Sequence, residues 1–154
     1  MDDIGIAKLL ETLRRRIGTT TAATVTEVER GAIRKFALAT GDTNPLHWDE
    51  GYAKRTRHRG IVAPPTYVAA FVHGHVPDIV VQDLPFSRML HSEDAVTSNR
   101  LMRPGDVITT HAMYVDAYCR TGVRGPAIYQ AADLILTDAA NSRVAVVRIT
   151  TVSF

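Results

Sequence analysis

Three runs in the C-terminal half of the chain, VITTHAMYVDAYC (107–119), AIYQAADLILT (127–137) and RVAVVRITTVS (143–153), are rich in β-branched and aromatic residues and lie only a turn apart. The intervening TGVRGP and DAANS are too short for a crossover, so the three runs pair as an antiparallel meander. RPGD at 103–106 turns the chain in from an earlier strand near 88–100.

The N-terminal half reads differently. Ile33, Phe36, Ala37 and Thr40 share one face at helical spacing, and Gly41 follows where a left-handed cap belongs. MDDIGIAKLLETLRRRIG opens the chain as an amphipathic helix with Ile6, Leu9, Leu10, Leu13 and Ile17 on one face and Gly18 at its end. Its acids and arginines interrupt the continuous apolar core that a signal peptide needs. PPTYVAAFVHGHV (64–76) is free of acids, lysines and arginines, and Pro64 and Pro65 set its entry angle. It is expected to form a buried helix. One apolar helix followed by a long antiparallel sheet packs most simply with the sheet around the helix, an α+β arrangement. No repeat, low-complexity tract or Gly/Ser/Pro-rich linker divides the 154 residues, so residues 1–154 are read as a single domain.

Charge and cysteine content narrow the partners. Eighteen Lys+Arg against 16 Asp+Glu leave a formal charge of +2, without the broad basic face of a nucleic-acid binder. The stretch 60–77 lacks Asp, Glu, Lys and Arg but carries three prolines and two histidines, a poor membrane span. The lone cysteine, Cys119, has no internal disulfide partner and reads as a small buried thiol on a strand, in keeping with a cytoplasmic protein. His73 and His75, two apart, would diverge on a helix and make a poor metal pair; no metal is expected.

The chemistry concentrates in GDTNPLH, residues 41–47. Asp42 and His47 supply two titratable groups, Pro45 stiffens the loop between them, and Asn44 offers a donor and an acceptor to hold the loop or a water. As residues alone, an Asp and a His in such a loop are more often turn formers than catalysts. The longer stretch FALATGDTNPLHWDEGYA (36–53), with Gly41, Asp42, Asn44, Pro45, His47, Asp49 and Ala53 in place, resembles the hydratase motif of the MaoC-like family of (R)-specific enoyl-thioester hydratases and dehydratases.

That resemblance implies a hot-dog fold and either hydration of 2-enoyl thioesters or the reverse dehydration of 3-hydroxyacyl thioesters. It makes Asp42 and His47 the catalytic acid–base pair, with Asn44 supporting them. It implies no cofactor beyond coenzyme A or an acyl-carrier protein as part of the substrate, and a homodimer or a heterodimer with another hot-dog chain. Where related hydratases carry His-Gly at the start of the central helix and present a backbone N–H to the thioester oxygen, this chain reads IVAPPT. Pro65 has no N–H, so the oxyanion donor passes to Thr66 or Tyr67, and Tyr67, Ala70 and Phe71 line either an acyl tunnel or simple core. The Ala-Pro-Pro pattern resembles a branch related to the dehydratase domain of fatty-acid synthase. Some chains of that branch are non-catalytic halves that shape a partner's site, which makes this the alternative assignment, with thioester hydrolysis a third. KRTRHR (54–59) is either a solvated loop or, through Arg55, Arg57 and Arg59, a contact for the phosphates of the thioester carrier.

Overall fold

The computed structural model describes residues 2–72, 75–123 and 125–154. Helix α1 (Asp3–Arg14) starts at Asp2, whose carboxylate accepts the Gly5 N–H at 2.9 Å. Ile6 and Leu13 are buried along its inner face, while Ile17, expected on that face, lies beyond the helix and is 48% exposed. A short strand β1 (Thr24–Glu27) leads to α2 (Arg30–Ala39), and α3 (Glu50–Arg55) follows the motif. A one-turn helix α4 (Val76–Ile79) precedes β2 (Met89–Ser98), β3 (Val107–Gly122), β4 (Gly125–Thr137) and β5 (Arg143–Ser153).

The five strands form one antiparallel sheet in the order β1-β3-β4-β5-β2. The meander β3-β4-β5 is as the sequence dictates. The strand before RPGD does not pair with its successor: β2 lies along β5, with Met89 opposite Ser153 and Ser98 opposite Ala145. The chain therefore crosses from one edge of the meander to the other between residues 98 and 107, and β1 completes the sheet on the outer side of β3. A bulge between Tyr114 and Asp116 re-phases β3. Ile108, Ala112 and Tyr114 are buried on the even positions before it and Ala117 on an odd position after it, so one long strand keeps its apolar side on the core throughout.

The central segment departs from a continuous helix. Pro65–Phe71 forms a 3₁₀ helix, and α4 begins separately at Val76 with Pro77 in its first turn. The reason is in the prolines. Pro77 has no N–H to bond four residues back and its ring would collide with that carbonyl, so a helix running through it is disfavoured, whereas the first turn accommodates it. His73 lies outside the described residues. Tyr67, Val68 and Phe71 are buried and share one apolar core with Ile108, Leu134 and Ile149 of the sheet. Phe36 of α2 meets Tyr67 edge-on at 5.3 Å, and Tyr67 meets Phe71 edge-on at 5.9 Å, which ties α2 to the central segment. Burial, reinforced by the charge of Glu29, raises the Tyr67 phenol above its ordinary pKa.

Two polar clasps join the central segment to the sheet. The ring of His75, 4% exposed, is held between the hydroxyls of Thr21 at 3.1 Å and Thr24 at 3.0 Å. Gln130, fully buried on β4, accepts the Val81 N–H at 2.9 Å and donates to the Val81 carbonyl at 3.0 Å; its Oε1 also accepts the Tyr114 hydroxyl at 3.1 Å. Among the described residues, no helix is long and apolar enough to cross a membrane.

Candidate active site

The position of Asp42 is set by how α2 ends. Gly41 adopts φ +70°, the Gly41 N–H donates to Leu38 O at 3.2 Å and the Asp42 N–H donates to Ala37 O at 2.8 Å, the paired bonds of a Schellman cap. The cap turns the chain so that Asp42 leaves the helix in a fixed direction. Its carboxylate then serves two partners: Oδ1 accepts the Asn44 N–H at 2.9 Å, and Oδ2 faces His47.

Asn44 builds the next turn. Its Oδ1 accepts the Leu46 N–H at 3.1 Å, capping the 3₁₀ turn Pro45–His47, so its side-chain oxygen holds the loop. Asp49 repeats the device one turn later by accepting the Tyr52 N–H at 2.9 Å at the start of α3. Between these two caps the backbone delivers His47 inward, where only 4% of it is exposed.

The imidazole is oriented by a carbonyl that the motif does not contain. His47 Nδ1 lies 2.7 Å from Val62 O. A carbonyl oxygen only accepts, so Nδ1 carries a proton and Nε2 is left facing the carboxylate. Nε2 stands 3.3 Å from Asp42 Oδ2, longer than the 2.7–2.9 Å typical of a tight charge-assisted contact. His47 is buried behind and the Asp42 side chain is 34% exposed in front, so the two groups present one edge to an incoming molecule. With Nδ1 committed to the carbonyl, Nε2 and the Asp42 carboxylate form a pair that can take up one proton and give it back.

Val62 also brings in the central segment, since Val62-Ala63 runs directly into Pro64-Pro65. The next backbone N–H, that of Thr66, belongs to the first turn of the 3₁₀ helix and has no backbone acceptor among the described residues. Tyr67 and Phe71 are buried, whereas Thr66 and Ala70 are exposed, so within one chain only the first two can be lining inside the core. Arg55, Arg57 and Arg59 are all exposed, at the end of α3 and on the turn beyond it, where Arg59 adopts φ +56°. Cys119 is partly buried on β3. No cluster of three metal-binding side chains occurs among the described residues.

Two features escaped the sequence reading. The Val62 carbonyl has no side-chain signature and becomes visible only in three dimensions. A cleft of about 360 Å³ lined by Arg30, Gly31, Arg34 and Trp48 was legible in part: Trp48 follows His47 directly, and Arg30 and Arg34 are one helical turn apart.

The Schellman cap makes a separate prediction. Gly41→Ala meets no neighbour within 4 Å of the new Cβ, but it places an L-residue in the left-handed region. The expected cost is about 1–2 kcal/mol of stability in urea unfolding, with a larger proportional loss of catalytic activity because Asp42 is the next residue. A variant as stable and active as the parent refutes the role assigned to the cap.

Known proteins share this fold. The UPF0336 protein of Streptomyces avermitilis is 39% identical over 87 residues, 54% of this chain and 57% of that protein, so the match spans little more than half of the relative's length. Among solved structures, the chain is similar to the ChsH1-ChsH2 complex from Mycobacterium tuberculosis (TM-score 0.77, 17% identity, 99% of this chain and 93% of that one). It is also similar to a MaoC-like dehydratase from Rhodospirillum rubrum (TM-score 0.64, 20% identity, 90% and 92%). These likenesses establish the hot-dog fold, with one α+β domain built on a five-stranded antiparallel sheet. Residues 15–147 match the family described as FAS1-like, dehydratase domain region, and the chain belongs to that family.

Proposed function

We propose that this chain hydrates 2-enoyl thioesters, or dehydrates 3-hydroxyacyl thioesters, using Asp42 and His47 as one acid–base unit. The observation that carries the reading is the approach of His47 Nε2 to Asp42 Oδ2 at 3.3 Å with Nδ1 already committed to Val62 O. In the hydration direction a water held at the shared edge loses a proton to one member of the pair. Its oxygen bonds to the β carbon, and the π electrons shift onto the thioester oxygen. The pair then passes the proton it took from the water to the α carbon as the charge collapses back. In dehydration the same two groups exchange roles. Asn44 is a positioning residue in this scheme. The Thr66 N–H, at the first turn of the 3₁₀ helix that follows Val62, is the first candidate to receive the developing oxyanion. No metal or bound cofactor enters the reaction; coenzyme A or a carrier protein is part of the substrate, and its phosphates are the ligand for which Arg55, Arg57 and Arg59 are retained as candidates.

The purified protein is expected to remove the ultraviolet absorbance of a short enoyl-CoA without releasing free thiol. Thiol release at the same rate would instead make it a thioesterase. Absence of both reactions, alone and with candidate hot-dog subunits added, would defeat the catalytic assignment.

A composite site is the second reading. It is favoured by the exposure of Thr66 and Ala70 and by edge strand β2, which is exposed along nine of its ten residues and includes Leu90 and Val96, 54% and 47% exposed. Such an edge suits a second hot-dog chain, identical or not. Light scattering distinguishes these states, and a homodimer inactive until a second chain is supplied would favour the composite site.

A further inference from the structure

We propose that the cleft between α2 and the 3₁₀ turn, bounded by Arg30, Gly31, Arg34 and Trp48, binds the phosphorylated adenosine end of coenzyme A, and so selects coenzyme A thioesters over carrier-protein thioesters. The inference rests on the thioester reading above. It adds where the carrier is held.

Three observations converge on an anionic ligand with a flat ring. The first is electrostatic. Arg34 is exposed and makes no ion pair with any described residue, while Arg30 is braced by Glu50 at 3.0 Å, which in turn meets Lys54 at 3.4 Å. Arg30 is thus neutralised in place, and among the described residues Arg34 is the cation of the cleft without an ion-pair partner. The second is the helix end. Glu29, at the N-cap of α2, makes no side-chain capping bond, and no acidic residue occupies the first turn, so the amides there keep their unpaired donors and partial positive charge. Gly31 puts no side chain over them, and a Cβ built there meets nothing within 4 Å. The third is Trp48, whose indole is 42% exposed on the cleft wall although it follows a buried histidine. An exposed aromatic face beside a guanidinium suits a stacked purine with a phosphate attached.

The placement suits a long substrate. Arg34 precedes the end of α2 by five residues and Arg30 by nine, which is about 7–14 Å along the helix axis from the cap that carries Asp42. A ligand anchored in the cleft therefore needs a linear spacer to reach the dyad, and the pantetheine arm is such a spacer. The cleft does not include Arg55, Arg57 or Arg59.

Trp48 is the only tryptophan of the chain, so its fluorescence reports on this cleft alone. Adenosine 3′,5′-diphosphate, which has neither pantetheine nor acyl group, is expected to change that fluorescence saturably, and Arg34→Glu to weaken the titration about tenfold or more. With substrates, Arg34→Glu should lower the kcat/KM preference for an enoyl-CoA over the matching enoyl-pantetheine by a similar factor, mainly through KM. Trp48→Ala, followed by calorimetry, should also weaken nucleotide binding. Circular dichroism of both surface variants controls for folding. If the nucleotide leaves Trp48 fluorescence unchanged while the wild type hydrates enoyl-CoA and enoyl-pantetheine equally well, the cleft assignment is overturned and the proposed reaction stands. If the nucleotide binds in an Arg34-dependent way but no thioester is hydrated, the cleft stands as a nucleotide site and the proposed reaction falls.

Discussion

Asp42→Asn and His47→Ala are each expected to lower kcat by about 10²–10⁴-fold, the usual range for removing a general acid or base, with the fold retained in thermal unfolding. The structure gives each variant a distinct cause. Asp42→Asn keeps an oxygen for the Asn44 N–H but replaces the charged partner of Nε2. His47→Ala leaves the Val62 carbonyl without its donor and opens a void behind the loop, so a stability loss of about 1–3 kcal/mol accompanies the loss of rate. The double variant should be little worse than the poorer single one, because two groups that pass protons as a unit are not additive. Steady-state rates of the three proteins decide the point, and turnover at the parental rate by folded single variants removes the dyad from the mechanism.

The largest effect on stability is expected at Gln130→Leu, far from the reacting edge. The substitution keeps the volume approximately and removes every polar atom, leaving the Val81 N–H, the Val81 carbonyl and the Tyr114 hydroxyl without their partner. Tyr114 is fully buried, and burial pushes its phenol up to about 12, so that hydroxyl has no water to turn to. Val81 is partly exposed and recovers some hydration, which brings the expected loss to about 2–5 kcal/mol. Tyr114→Phe, which leaves Gln130 bonded to Val81, should cost only about 1 kcal/mol. Urea unfolding of the two variants makes the comparison; equal losses would show that the amide contributes no more than its contact with the phenol.

The outcome at particular residues shows what sequence alone conveys. The meander was legible because its runs are long, β-branched and separated by turns too short for any other connection. Helix α2 was legible because Ile33 and Ala37 recur at the helical period and a glycine ends the pattern, and that glycine carries the expected positive φ. Strand β1 was missed: four residues with every side chain exposed have no burial pattern to read. The partner of β2 was missed because pairing across a sheet is a long-range choice that local turn chemistry does not encode. The break in the central segment was present in the sequence as Pro77, but the apolar run from Tyr67 to Val72 outweighed it. At the site, Asp42 and His47 could be named from the motif, whereas the tautomer of His47 depends on a backbone atom fifteen residues away, and a backbone carbonyl has the same identity in every sequence.

The strand order also bears on the time course of assembly. β3, β4 and β5 are joined by tight hairpins and close over short loops, but β1 and β2 attach to opposite outer strands, and the chain between them carries both the dyad and the 3₁₀ helix. That whole stretch is a long arc tethered at the two margins of the sheet, and its closure entropy is met only after the meander offers somewhere to dock. Secondary structure should therefore return on refolding before the imidazole finds its carbonyl, which makes recovery of activity a late event rather than a measure of how fast the sheet forms.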